Sequence, residues 1–264
     1  MTPAADKPIV DILAIAAHRD DVEQTCGGTL LKAAQRGQKT AILDLTRGEM
    51  GSRGTAEDRA REATEAAKIL GVAWRGALDI PDTRVENTYE NRLKIARVIR
   101  MLRPQVVILP YWEARHPDHA KASPLGYESC FVAGLKKLDL SSLGGNGLSV
   151  AFESPGVRLS GDSRPYRPFK ILYASLYAEV RPTFVVDITS EFEQRLRSLL
   201  AYHSQYAQQT DAAGLFVPEA EIRQRLETMA RFYGLLAGVE YAEPFVQKEV
   251  GLVNDVTAIP VQSI

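Results

Sequence analysis

The chain has 264 residues, of which 45% are hydrophobic and 25% charged, with 33 acidic against 32 basic side chains and a formal net charge of −1. That length builds one sizeable core, and the composition excludes a disordered or fibrous protein. The even charge excludes the basic field that non-specific nucleic-acid binding or a polybasic membrane anchor requires.

Only Cys26 and Cys130 are present, too few and too far apart for a disulfide framework or a cysteine-based zinc site. The N-terminal apolar stretch breaks at His18-Arg19-Asp20-Asp21 without the layout of a secretory leader, and no window is apolar for long enough to span a bilayer. A cytoplasmic protein with no nucleic-acid or membrane partner is expected.

Residues 9–17 are mostly apolar with little alternation, as in a strand covered on both faces, and 39–46 (KTAILDLT) repeat the pattern. The weaker Trp74–Ile80 follows, then QVVILP at 105–110, KILYASLY at 170–177 and FVVDI at 184–188. Helical patterns separate these runs. Gly27–Gln35 is the first. Ala56–Leu70 is the clearest, with Thr55 as cap, Asp58 at the capping-box spacing and Gly71 to end it, and Asn91–Leu102 is stopped by Pro104.

Alternation at this spacing predicts right-handed crossovers and an α/β fold: a Rossmann-like three-layer α/β/α domain with a mostly parallel sheet. One domain over 1–264 is expected. Clustered Gly, Ser and Pro mark 139–168 as an irregular insertion or lid, and 190–245 forms a C-terminal helical elaboration with helices over Ser190–Tyr206 and Pro218–Leu236.

Three of the four histidines fall in two aspartate-rich segments, AAHRDDVEQTCGGTL at 16–30 and RHPDH at 115–119. Each segment directly follows a predicted strand, so both sit at carboxyl strand ends, where open α/β sheets bind ligands. Zinc favours imidazole nitrogen and carboxylate oxygen, and a catalytic site uses three protein ligands and keeps one position for water. His18 and Asp21 with a histidine of RHPDH supply such a set.

The adjacent side chains of Asp20 and Asp21 diverge, so one can bind metal while the other faces water. His116 and His119 share one side of a helix that begins at HPDH, so one can bind metal while the other points at substrate. His203 and Cys26 are read as structural. Gly27-Gly28 lacks the G-x-G-x-x-G pattern, and HRDD stands where a pyrophosphate would approach, so a dinucleotide site is not expected.

AHRDDVEQTCGGTL resembles the AHPDD-x-E…GGTL signature of the LmbE-like/PIG-L deacetylases, and RHPDH resembles their second motif. Residues 44–72, 90–123, 182–189, HSQY at 203–206 and 231–245 are similar to the branch that includes the bacillithiol-pathway deacetylase. The resemblance implies that His18, Asp21 and His119 bind Zn²⁺, or another divalent transition metal, and that Asp20 is the base that deprotonates the attacking water. It further implies that His116 stabilises the oxyanion or protonates the leaving amine, with Asp118 orienting it, and that Glu23 supports the loop.

Arg53 and Arg115 match arginines near an anionic part of the substrate, and Arg19 adds a third cation beside the site. The implied activity is hydrolysis of the N-acetyl group of an N-acetylglucosamine conjugate, with N-acetylglucosaminyl-malate the first substrate to try. Another N-acetylglucosamine derivative, a chito-oligosaccharide, or a non-catalytic metal- or sugar-binding module are the alternatives. Relatives imply a homo-oligomer, a hexamer among the forms allowed. Arg19 in place of the usual proline, Gln24-Thr25 in place of Leu-Gly, and the longer 139–168 segment are the departures.

Overall fold

The computed structural model describes residues 8–140, 147–155, 157, 164–176, 179–206 and 219–261. Eight strands form one sheet: β1 (Ile12–Ala16), β2 (Thr40–Asp44), β3 (Trp74–Ala77), β4 (Val106–Pro110), β5 (Ser149–Glu153), β6 (Lys170–Ala174), β7 (Phe184–Asp187) and β8 (Ala242–Val246). Their order is β5-β3-β2-β1-β4-β6-β8-β7. The five strands from β3 to β6 run parallel, while β5 closes one side antiparallel to β3, and β8 pairs antiparallel with both β6 and β7. The mostly parallel three-layer sheet expected from the alternating pattern is the observed fold.

The unbroken apolar runs have a simple cause, because successive side chains enter two different cores. Leu13, Ile15, Ala41, Leu43, Val107, Leu109 and Tyr173 face one. Ala14, Ala16, Ile42, Ile108 and Ala174 face the other. The helices divide accordingly. Into the first core pack α4 (Tyr89–Leu102), through Ile95, Ala96, Ile99 and Leu102, and α5 (Pro117–Ala133), through Ala122 and Leu125. Into the second pack α1 (Asp21–Thr25), α2 (Gly27–Gln35) and α3 (Ala56–Leu70), through Val22, Leu30, Leu31, Ala67 and Leu70. A further cluster joins α6 (Phe192–Leu200) to α8 (Glu219–Leu235), and the short α7 (His203–Tyr206) follows α6.

Helix ends follow the chemistry of their residues. Thr55 and Asp58 form the reciprocal capping box of α3, and Gly71 ends it in the left-handed region at φ 66°. Two strands depart from the sequence expectation. The insertion contains β5, and the stretch at 238–245 ends in β8. Residues 141–146, 156 and 158–163 of the insertion lie outside the described residues.

Topology fixes where a ligand can sit. From β1 the chain moves to β2 and β3 on one side, then returns to place β4 on the other side of β1. The connections leaving β1 and β4 therefore diverge to opposite faces and open a crevice at the carboxyl ends of these two paired strands. His18 follows β1, and His116 to His119 follow β4.

Candidate metal centre and active site

Beyond β1 the chain turns through His18, and Asp20 takes the N-cap position of α1. Asp20 makes no side-chain capping bond, so its carboxylate is not spent on the helix. Asp21 accepts the His18 amide at 2.9 Å, which folds its carboxylate back towards the imidazole. Beyond β4, Pro117 opens α5, where its missing N–H costs nothing. His116 is the N-cap, its Nδ1 accepting the Asp118 amide at 3.2 Å. His119 lies one turn along.

The two segments converge. His18 Nδ1 lies 3.1 Å from His119 Nε2, His119 Nε2 lies 3.1 Å from Asp21 Oδ1, and His18 Nδ1 lies 3.5 Å from Asp21 Oδ2. A tetrahedral metal with bonds of about 2.0–2.1 Å holds its donors roughly 3.3 Å apart, which is the spacing of this triangle. His116, His18 and His119 also bring donor atoms within 4.8 Å of one another. However, the Nδ1 of His116 is engaged as a cap, so Asp21 is the better third ligand.

Electrostatics agree with a cation there. Burial works against a charged His18, but hydrogen bonds to Asp118, Asp21 and Asp82 outweigh it and push its pKa up to about 12. Burial likewise opposes ionisation of Asp21, yet the charge of His119 and bonds from both histidines hold it well below the usual carboxylate range. Of these carboxylates Asp21 lies on the Nδ1 side, where its ionised charge favours a cation. On the far side of the ring, His18 Nε2 meets Asp82 Oδ1 at 3.2 Å and Asp118 Oδ2 at 3.5 Å, an arrangement that would orient the imidazole for a metal at Nδ1.

Asp20 is held at both oxygens, by Arg59 at 3.0 Å and by the Tyr206 hydroxyl at 2.6 Å. It lines a cavity of about 220 Å³ roofed by Leu226, Met229 and Tyr233 of α8. Burial first, then the charges of His18 and His119, lower the pKa of His116. With Nδ1 accepting, the neutral His116 ring carries its proton on Nε2 and can donate it. The carboxylate of Asp118 contacts His18, so its link to His116 runs through the backbone amide.

Glu23 is fully buried and bonds Arg75 at 2.5 Å, while Arg75 also grips Asp44 at 2.9 and 3.0 Å. Arg75 and the Tyr202 hydroxyl both donate to the carbonyl of Arg19 and so pin the first motif from below.

The arginines separate. Arg19 is not brought to the cleft. It is 3% exposed and donates to the Ala56 carbonyl at the start of α3, because the turn after His18 points its side chain inward. Arg53 is half-buried in the loop between β2 and α3, where its carbonyl accepts from Gln205. Arg115 is exposed beside His116 and faces Arg225, Met229 and Phe232 across a cavity of about 620 Å³.

The second of the two glycines that open α2 serves an anion of the chain itself. Glu243 of β8 accepts the Gly28 amide at 2.8 Å and the Thr29 amide at 2.7 Å, and a Cβ on Gly28 would meet Ile188 at 2.9 Å. Burial raises the Cys26 thiol and pushes Cys130 up to about 12, so neither is an activated nucleophile. His203 is exposed at the start of α7.

Sequence reasoning did not find Asp82, Arg59, Tyr206 or Glu243. Arg59, Tyr206 and Glu243 lie in segments that resemble the family but with no role read for them, and the signal at Asp82 is its place just beyond a strand that ends at the same sheet edge as the two histidine motifs.

The family model described as PIG-L, GlcNAc-PI de-N-acetylase, matches residues 13–130. The chain is 33% identical over 242 residues to the diacetylchitobiose deacetylase of Thermococcus kodakarensis, covering 88% of its own length and 80% of the relative's. Among solved structures it is similar to the conserved protein TT1542 from Thermus thermophilus, with 38% identity, a TM-score of 0.76 and coverage of 93% of this chain and 98% of that one. It is also similar to the N,N'-diacetylchitobiose deacetylase from Pyrococcus horikoshii, with 26% identity, a TM-score of 0.72 and coverage of 89% and 82%. The chain belongs to the PIG-L/LmbE-like family of deacetylases, hydrolases that act on carbon–nitrogen bonds.

Proposed function

We propose that the chain is a zinc-dependent N-deacetylase that hydrolyses the N-acetyl group of an N-acetylglucosamine conjugate, releasing acetate and the free amine. The observation that carries this reading is the triangle of His18 Nδ1, His119 Nε2 and Asp21, with a second carboxylate, Asp20, one residue away. Zinc, or another divalent transition metal, supplies Lewis acidity and a water of lowered pKa when held by these three ligands.

The remaining work belongs to side chains. Asp20, fixed by Arg59 and Tyr206, accepts the proton of the attacking water. His116 donates from Nε2 to the oxygen that gains charge, or to the departing nitrogen. Asp118 fixes the start of α5 and supports His18.

Two features bear on the substrate. The likeness to a diacetylchitobiose deacetylase over 88% of this chain supports a chito-oligosaccharide. Arg53 and the exposed Arg115 support an anionic conjugate such as N-acetylglucosaminyl-malate. The same reading makes the protein a cytoplasmic homo-oligomer, with a hexamer among its forms. Among the described residues no helix is long and apolar enough to cross a membrane.

The test is acetate release by zinc-loaded protein from N-acetylglucosamine, diacetylchitobiose and N-acetylglucosaminyl-malate. Release from at least one is expected. If the arginines select the substrate, the malate conjugate has the highest kcat/KM, and Arg53→Ala or Arg115→Ala removes its advantage. Preference for diacetylchitobiose with no effect of either substitution assigns the chito-oligosaccharide. No acetate from any compound makes the chain a metal- or sugar-binding module.

A further inference from the structure

His18 uses both ring nitrogens. With Nδ1 turned to the donor triangle, Nε2 carries the ring proton and faces Asp82 Oδ1 at 3.2 Å and Asp118 Oδ2 at 3.5 Å. The two carboxylates are not equivalent. Asp118 is fully buried and already takes two amides, from Thr83 at 2.8 Å and Val85 at 3.4 Å. Asp82 is nearer the ring, and its Oδ2 accepts the Met50 amide at 3.2 Å.

Met50 belongs to the loop between β2 and α3 that also carries Arg53. The backbone of Asp82 adds a second tie to this loop, its amide donating to Glu49 Oε1 at 2.7 Å. One residue thus joins the first histidine motif to a loop some thirty residues away in sequence.

The local backbone is shaped for this. Thr83 lies at φ 69°, in the left-handed region that β-branched residues rarely enter. In that conformation its amide reaches Asp118 while the preceding carboxylate reaches His18. Unfavourable backbone geometry held by surrounding bonds marks a place where orientation is over-determined.

From these contacts we infer that Asp82 is a positioning residue for the metal centre. Its Oδ1 fixes the tautomer and plane of the His18 ring, and its Oδ2 ties the Met50–Arg53 loop to that ring. Metal affinity and loop order therefore share one carboxylate. The inference rests on the reading above that His18 is a ligand.

Two readouts test it without turnover: zinc affinity, by competition with a chromophoric chelator, and hydrogen exchange of the peptide containing Met50 in zinc-loaded protein. His18→Ala is expected to lose stoichiometric zinc. Asp82→Asn keeps one acceptor oxygen and is expected to bind zinc about 10-fold more weakly, with Asp82→Ala nearer 100-fold weaker. Both Asp82 variants are expected to speed exchange at Met50 while strands β1, β2 and β4 keep native protection.

Native zinc affinity in both folded Asp82 variants overturns the inference, as does unaltered exchange at Met50. Native zinc binding by His18→Ala overturns the ligand reading beneath it. Absence of acetate release from every substrate counts against the deacetylase reading alone, because neither readout depends on catalysis.

Discussion

Asp20 and Asp21 show how neighbours in sequence acquire different chemistry from what surrounds them. Asp21 is drawn between two imidazoles, whereas Asp20 is held by a guanidinium and a phenol. The proposed ligand set draws on a signal visible in the sequence, because histidine is scarce, with only four in the chain, and three fall in two short segments. Asp82, Arg59 and Tyr206 carry no such signal, because each is a lone polar residue whose partner is brought to it only by the folded sheet edge.

Arg19 was misplaced for a related reason. Its position in the motif puts it beside a ligand, but side-chain direction is set by the turn, which sends it into the protein. Arg19→Ala is therefore expected to leave KM unchanged and to lower stability by about 1–3 kcal/mol, the usual cost of losing a hydrogen bond made by a buried charged group. Denaturant titration beside a kinetic assay checks this; a raised KM at native stability would return Arg19 to the cleft.

Among elements, those with local signals were read well. Gly27–Gln35 and Ala56–Leu70 form as the sequence indicates, the first from amphipathic spacing and the second because spacing and end residues agree. The missed strands lack such agreement. The edge strand β5 is only partly buried, so it has no continuous apolar run, and it emerges from a Gly- and Ser-rich stretch. Strand β8 carries Glu243 and Pro244 between two neighbours, although proline cannot donate to a ladder and a buried carboxylate is costly.

Glu243 is tolerated because the amides of Gly28 and Thr29 and the guanidinium of Arg195 at 3.1 Å satisfy it. Removing one partner of such a buried cluster costs more than the cluster contributes net. Glu243→Ala is expected to lose about 3–5 kcal/mol in chemical denaturation. A loss below about 1 kcal/mol, the range of an exposed pair, would show that the carboxylate does not hold α2 against β8.

At the scale of the molecule, function follows from strand order. The reversal between β1 and β4 brings two motifs a hundred residues apart onto one crevice, so a bound metal links two crossovers that leave on opposite faces. Metal at 100 times its Kd adds about 2.7 kcal/mol to stability. For a chain of this size, chelation is then expected to lower Tm by roughly 5–10 °C, reversibly on return of zinc. An unchanged Tm would mean that no ion bridges the crossovers.

The most direct test of the division of labour at this crevice is zinc content measured together with acetate release for the native protein, Asp20→Ala and Asp21→Ala. The expected result is stoichiometric zinc in Asp20→Ala with activity reduced by about 10²–10⁴-fold, as for loss of a general base, and loss of zinc in Asp21→Ala. Zinc lost from Asp20→Ala while Asp21→Ala stays active would contradict it.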